Sequence, residues 1–257
     1  MKKTPCTVSA LLFLLVPSVR AETMDEVEKK LMEAHARLQS YTARLKHVEN
    51  VPLTGTDFMA SDVDGTIEWK RKGETILYRL EIRGTSTQKF GANEQKSEQT
   101  STLVSDGKFF YTFAEQMGQK RFIKQKADTS IIGDIRSVLD TVRADNHFKL
   151  AADDKVDGAD CYVIEVTSNI PPSDDNPIHK TLIYFRKDIG LNVRVLSRNK
   201  DGKDVYDNTL LQLKKDVSID ASRFVLHAPS DVEITDLTGI DDPPKTPAPD
   251  AKEPQKP

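Results

Sequence analysis

Thiols are scarce in this chain: only Cys6 and Cys161 occur in 257 residues. Cys6 falls in a leader described below, which leaves one cysteine and no intramolecular disulfide. On a strand, Cys161 shares its side with Val163 and Glu165, while Tyr162, Ile164 and Val166 form the other side. That pattern suits a buried structural cysteine, although a Cys161–His dyad stays open at this level. Basic excess is also missing, with 37 Lys and Arg against 40 Asp and Glu. A mildly acidic protein does not present the basic face that nucleic acid or an anionic membrane demands. The five histidines (His35, His47, His147, His179, His227) are scattered, with no His-x-x-x-His or paired-Glu spacing to hold a metal. Gly-x-Ser-x-Gly, the P-loop and the dinucleotide fingerprint are absent as well. No catalysis, cofactor or metal is expected.

The address is written in the first residues. Lys2 and Lys3 precede an apolar run, Ala10 to Val16 (ALLFLLV), which Pro17 and Ser18 interrupt. Val19-Arg20-Ala21 then reads as a cleavage signal of the Ala-x-Ala kind. The run is far shorter than the ~20 residues a bilayer span needs, so a signal peptide over 1–21 is expected, cut after Ala21. No cysteine follows the run, so no lipid anchor is expected. Cleavage removes three basic residues and no acid, moving the formal balance from −3 to −6. Residues 22–240 contain no internal linker and are read as one domain. From Asp241 the chain becomes DDPPKTPAPDAKEPQKP, with six prolines, seven charges and no large apolar residue. Such a segment cannot bury enough surface to order itself, so 241–257 reads as an extended tail.

Between these ends the pattern is mainly β. Thr23-x-x-Glu26 is a capping box. Behind it Val27, Leu31, Ala34, Leu38, Tyr41, Leu45 and Val48 recur at alternating four and three, which predicts one amphipathic helix of about six turns. His35 falls on its polar side. After Val51-Pro52 the period drops to two. Ile67, Trp69 and Arg71 share a face, and Ile76, Tyr78, Leu80 and Ile82 alternate with Leu77, Arg79 and Glu81. Asp106-Gly107 between Thr102–Val104 and Phe109–Phe113 predicts a type I′ hairpin. Met117-Gly118 leads into Lys120–Lys124. Asp128-Thr129-Ser130 caps a second short helix bearing Ile131, Ile135, Val138, Leu139 and Val142. Strands resume over His147–Ala151, Cys161–Thr167, Lys180–Arg186, Leu191–Arg198 and Val205–Lys214, with Phe224–Leu226 and Val232–Ile234 finishing the domain. Ten or eleven strands with tight turns and no α/β alternation describe an antiparallel α+β domain.

Two strings look like chemistry. Asp62-Val63-Asp64-Gly65-Thr66 matches the nucleophile motif of haloacid-dehalogenase phosphatases, in which the first carboxylate attacks and the second acts as acid and base. That motif needs a buried apolar strand before it and a βα succession after it; here Phe58-Met59-Ala60-Ser61 is a weak lead, and antiparallel hairpins follow. Asp153–Asp160 (DDKVDGAD) looks like a calcium loop, but Lys155 takes a ligand position and Ile164 stands where the bidentate Glu belongs. The first reads as a polar strand start or turn, the second as a hairpin turn.

Three stretches resemble the LolA-like family of periplasmic carriers. Gly65-Thr66-Ile67-Glu68-Trp69-Lys70-Arg71 resembles its G-x-L/F-x-x-K-R strand. Val104-Ser105-Asp106-Gly107-Lys108-Phe109-Phe110-Tyr111 resembles its VSDGK hairpin, with Gln119 before the next strand. Ala221-Ser222-Arg223-Phe224 with Pro229 and Val232 resembles its terminal A-x-x-F-x-F-x-P-x-x-V segment. The resemblance implies an unclosed antiparallel half-barrel whose concave face is covered by the N-terminal and inserted helices. It implies a periplasmic, monomeric carrier that shields the acyl chains of a lipoprotein or lipid and passes them from a membrane-bound donor to an acceptor. A sensor module of the same fold, binding a lipid or peptide signal and a membrane protein, is the alternative. The family's lid-latching arginine matches Arg71. The family's next residue, proline, is Lys72 here, and the segment from Glu74 to Ser101 is longer and more polar, which leaves the cargo open. The expected lining is Ile67, Trp69, Tyr78, Leu80, Tyr111 and Phe113, with Leu31 and Leu38 from the covering helix.

Overall fold

The computed structural model describes residues 22–53, 55–127, 145–169 and 177–239, together with 136, 139, 140 and 143. The leader and the proline-rich tail lie outside the described residues. The chain opens with helix α1 (Met24–Arg37), whose N-terminus carries the expected capping box: Glu26 N–H donates to Thr23 Oγ1 and Thr23 N–H donates to the Glu26 carboxylate. Thirteen strands follow among the described residues: β1 (Ser40–Pro52), β2 (Phe58–Lys72), β3 (Thr75–Phe90), β4 (Asn93–Ser105), β5 (Phe109–Gln116), β6 (Gln119–Lys126), β7 (Asn146–Leu150), β8 (Asp154–Val156), β9 (Ala159–Ser168), β10 (Lys180–Arg186), β11 (Leu191–Arg198), β12 (Asp204–Lys215) and β13 (Ile234–Asp236).

All thirteen form one sheet in the order β13-β6-β5-β4-β3-β2-β1-β12-β11-β10-β9-β7, with β8 paired to β9. Every pair is antiparallel except β13 with β6. Strand β1 sits at the centre, bonded to β2 on one side and β12 on the other, and so joins two meanders. The outermost strands, β13 and β7, do not meet, which is consistent with an unclosed half-barrel.

The single long helix of the sequence reading is corrected to a helix followed by a strand. Val27, Leu31 and Ala34 are buried on α1, but Leu38 is already an extended C-cap (φ −68°, ψ 125°). Beyond it Tyr41, Ala43 and Leu45 alternate inward at period two. Residues 41 and 45 share a face in a strand as well as in a helix, so the four-residue spacing concealed the change of period. Val48, placed on the apolar helical stripe, is a solvent-facing strand residue, 40% exposed. His35 is likewise buried rather than on a polar side.

Three further expectations change. The polar stretch 74–101 forms most of the long β3–β4 hairpin. Phe224–Leu226 is no strand; Ala221–Phe224 is a 3-10 turn capped by Asp220, and Phe224 packs with Val104 and Ile219. The loop at Asp106-Gly107 has three residues, and only Gly107 is left-handed (φ +89°). The Asp106 carboxylate accepts from the N–H groups of Lys108 and Phe109, both at 2.8 Å, and closes the loop by its side chain instead of a type I′ backbone. Asp157-Gly158 is the turn with both central residues left-handed, at φ +50° and +79°. The inserted helix lies outside the described residues apart from Arg136, Leu139, Asp140 and Arg143, which have helical backbone; Leu139 packs with Val27 and Leu31.

Candidate functional site

Opposed residues of antiparallel strands carry their side chains on the same face, so the register separates two faces across the sheet. Tyr41 opposes Trp69, Trp69 opposes Tyr78, Tyr78 opposes Ser105 and Ser105 opposes Phe110. This is the inner face, covered by α1. Leu38 of the helix cap clusters with Tyr41, Leu45, Ile67 and Trp69. Val27 and Leu31 cluster with Ile164, Val166, Ile183 and Phe185 on the other meander. Ile67, Trp69, Tyr78, Leu80 and Leu38 therefore meet in one apolar cluster, while Leu31 packs in the neighbouring one against the other meander.

Tyr111 and Phe113 do not join them. Tyr111 opposes Val104 and Phe113 opposes Thr102, which places both on the outer face. Their neighbour Phe110 takes the inner position and is buried. Two adjacent aromatics, Phe109-Phe110, allow either parity, and only the pairing with β4 decides between them.

Arg71 stands where β2 passes the end of α1. Its Nε donates to Leu38 O at 3.3 Å and its Nη2 to His35 O at 3.4 Å. These carbonyls belong to the last turn and cap of the helix, where the helical ladder runs out and the dipole is negative, so a guanidinium is a complementary group; His35 O also accepts the Leu38 N–H at 3.1 Å. Both bonds are longer than the usual 2.9–3.0 Å or so, hence weak. The Arg71 backbone N–H adds a shorter bond to Gln39 O at 2.8 Å. The guanidinium also lies 5.4 Å from the centre of the Trp69 ring. Trp69 in turn stacks on Tyr41 (5.7 Å, 18°) and tilts against His35 (5.8 Å, 56°).

Trp69 is fully buried, and its indole N–H has no hydrogen-bond partner among the described residues. A buried unpaired donor is costly and uncommon. Burial pushes the Tyr78 phenol up to about 12, and burial with the neighbouring Tyr78 pushes Tyr41 up as well. The floor of the inner face is accordingly dry and aromatic. The backbone of α1 is seated on Gly190 (φ +63°), where a Cβ would stand 1.9 Å from Leu31 O.

The outer face differs in kind. Asp62 and Asp64 project from it side by side on β2, both largely exposed; Asp62 pairs with Lys46, and Asp64 lies 3.5 Å from Lys46 and 3.6 Å from Arg44. A polar groove of about 300 Å³ lies here, lined by Arg44, Asp64, Thr66, Glu81, Arg83 and Thr102 among others. Further along, Arg223 of the terminal segment bonds Glu68 at 2.9 Å and Glu81 at 3.4 Å. Cys161 is wholly buried beneath β8, among Val156, Val163, Tyr184 and Leu196, and burial pushes its thiol up. Among the described residues no group of three or more His, Cys, Asp or Glu is placed to hold a metal ion. No helix there is long and apolar enough to cross a membrane.

Sequence reasoning missed Asn208, whose Oδ1 is also buried without a partner among the described residues. It lies on the inner face because it opposes both His47 and Val195. Nothing in Tyr206-Asp207-Asn208-Thr209 marks such a position, since an alternating polar strand ordinarily faces water.

No family model matches the sequence, and no curated protein sequence matches it. Solved structures give distant similarity. MucB is 17% identical, aligned over 79% of this chain and 62% of its own, with a TM-score of 0.45. This chain thus spans about six tenths of the MucB chain. An uncharacterized conserved protein from Thermus thermophilus is 10% identical over 82% of this chain and 98% of that one, with a TM-score of 0.45. A LolA superfamily protein from Nitrosomonas europaea is also similar, 13% identical over 80% and 99%, with a TM-score of 0.26.

Proposed function

We propose that the chain is an exported, monomeric, non-enzymatic carrier of the periplasm. In this reading the inner face holds the acyl chains of a lipoprotein or lipid beneath α1, and delivers them to a membrane-bound acceptor. The observation that carries it is the Arg71 contact: a guanidinium resting on Trp69 and holding the end of α1 through two long hydrogen bonds. A lid needs an attachment that is specific but weak, and this one is both.

Magnitudes set what could open it. Lifting α1 exposes Val27, Leu31 and Leu38, each buried by 97% or more. At about 1.5–3 kcal/mol per side chain, that costs roughly 5–9 kcal/mol. An acyl chain regains ~0.8 kcal/mol per buried CH₂, so roughly six to eleven methylenes offset the opening. Short chains therefore bind poorly and long ones well. Transfer onward follows where an acceptor offers an apolar site without the cost of holding α1 open.

Native mass spectrometry of the protein released gently from the envelope tests this reading. Acyl-bearing adducts are expected. Arg71→Leu should retain more of them, because losing the latch weakens the closed, empty state that competes with cargo. Cargo-free protein in both forms, with no response of Trp69 fluorescence to long-chain amphiphiles, overturns the proposal. Capture of one membrane protein by such cargo-free protein would point to the sensor role instead.

A further inference from the structure

The inner face changes character along the strands. From Trp69 to Val63 on β2 it is apolar, bordered by Tyr41, Ala43 and Leu45 on β1. Six residues of strand span roughly 20 Å. One leaflet's share of a bilayer's ~30 Å hydrocarbon core is about 15 Å, so the track is long enough for one extended acyl chain. At its far end the register places a polar group of side chains: His47 and Asn208 opposite each other, then Glu49 opposite Tyr206, and Ser197 opposite Tyr206 and Thr181.

These groups bond mainly among themselves. Asn208 Nδ2 donates to the Tyr206 hydroxyl at 3.4 Å, the His47 ring meets Tyr206 edge-on at 5.0 Å, and Thr181 and Ser197 share a hydrogen bond of 2.8 Å. His47 Nε2 lies 3.8 Å from the Glu49 carboxylate. Asn208 Oδ1 is left over, a buried acceptor with no donor among the described residues. Among the described residues, no Lys or Arg occupies the inner side of the two rows that cross Val63 and Ser61. The outer side of the same strands carries Lys46, Arg83 and Arg194. At the Asn208 end an anion would meet Glu49 and, among the described strand residues, no Lys or Arg on the inner side; the guanidinium of Arg143 lies over Phe148, at the other end of the row. Burying an anion so placed is expensive. A headgroup that offers O–H or N–H donors would satisfy the orphan acceptor.

We propose that the Asn208, His47 and Tyr206 end of the inner face is a headgroup site that selects acyl ligands with uncharged, hydrogen-bond-donating headgroups, hydroxyls above all, over anionic ones. This rests on the carrier reading, and deepens it by naming the ligand class. Binding gives Asn208 Oδ1 its missing donor while the acyl chain lies along the track toward Trp69.

The test uses the mature protein and its single tryptophan, Trp69, as the reporter. Monooleoylglycerol and oleate, which share one acyl chain, are titrated while Trp69 fluorescence is followed, and bound ligand is counted by native mass spectrometry. Monooleoylglycerol should bind at least about 10-fold more tightly than oleate. Asn208→Leu should remove about that factor and leave oleate unchanged. Its melting temperature should change little, because removing the orphan oxygen offsets the loss of the long bond from Asn208 Nδ2 to Tyr206. Asn208→Asp retains the acceptor oxygen and should keep monooleoylglycerol binding while weakening oleate further, which guards against a folding defect in the leucine variant. Equal affinity for both ligands, or a preference that survives Asn208→Leu, overturns the headgroup site and leaves the carrier intact. Failure of both ligands to bind, by both readouts, overturns the carrier and the headgroup site together.

Discussion

Gly190→Ala is the sharpest perturbation of the lid. Gly190 closes the β10–β11 turn, its N–H donating to Arg186 O at 2.8 Å. An alanine there meets two penalties. The left-handed backbone (φ +63°) costs a residue with a Cβ about 1–2 kcal/mol. The new methyl would also stand 1.9 Å from Leu31 O and 2.8 Å from His35 N, both helix backbone that no side-chain rotation can clear. Overpacking of this kind adds typically 1–3 kcal/mol. The total, roughly 2–5 kcal/mol, is severe against a domain stability of about 5–15 kcal/mol but leaves the sheet folded. Gly202→Ala is the control: φ is +77° and nothing lies within 4 Å of the added carbon, so only the backbone penalty applies. Urea denaturation of both variants, with Trp69 emission recorded before unfolding, separates the two contributions. Gly190→Ala should lose at least about 1 kcal/mol more than Gly202→Ala, and its native-state emission should shift to the red as α1 carries His35 away from Trp69. Equal losses with unshifted emission would refute the seating of α1 on Gly190 and the lid built on it.

Two predictions concern pH. The Tyr78 phenol is raised to about 12 and that of Tyr41 is raised too, both by burial first. A raised acid contributes stability that is intact below the unfolded value of about 10 and lost as pH rises toward the folded one. Unfolding should therefore set in between about pH 10 and 12, and Tyr78→Phe should reduce that dependence in a pH-jump series followed by circular dichroism. At the acid end, burial pushes Asp188 up, but hydrogen bonds from Lys215 and Arg186 outweigh it and hold the carboxyl low. A lowered carboxyl contributes stability above its unfolded value and loses it as pH falls through the folded one. Asp188→Asn should consequently be less stable at pH 7, with the gap to the parent closing below about pH 4 in urea melts.

How far the residues spoke for themselves varies along the chain. Alternation along Ile67-Glu68-Trp69-Lys70-Arg71 put Ile67, Trp69 and Arg71 on one face, and the structure has them there. The capping box at Thr23 and Glu26 likewise marked the start of α1, because both effects act within one turn of chain. Where α1 ends was hidden, since residues 41 and 45 share a face at either period. Tyr111 and Phe113 were assigned to the inner face because both are aromatic, and aromaticity carries no direction.

Local sequence thus determined the elements whose signals are short in range: the helix cap, the glycine turns and the strand alternation. Tertiary structure alone decided which side of each strand faces inward, for that follows from hydrogen-bond register with strands far away in sequence. β1 meets β12 across some 160 residues, and that pairing brings Asn208 opposite His47. It also decided that Arg71 reaches the carbonyls of His35 and Leu38 rather than solvent. Alternation can place an arginine on a face, but only the helix laid across that face supplies the acceptors it holds.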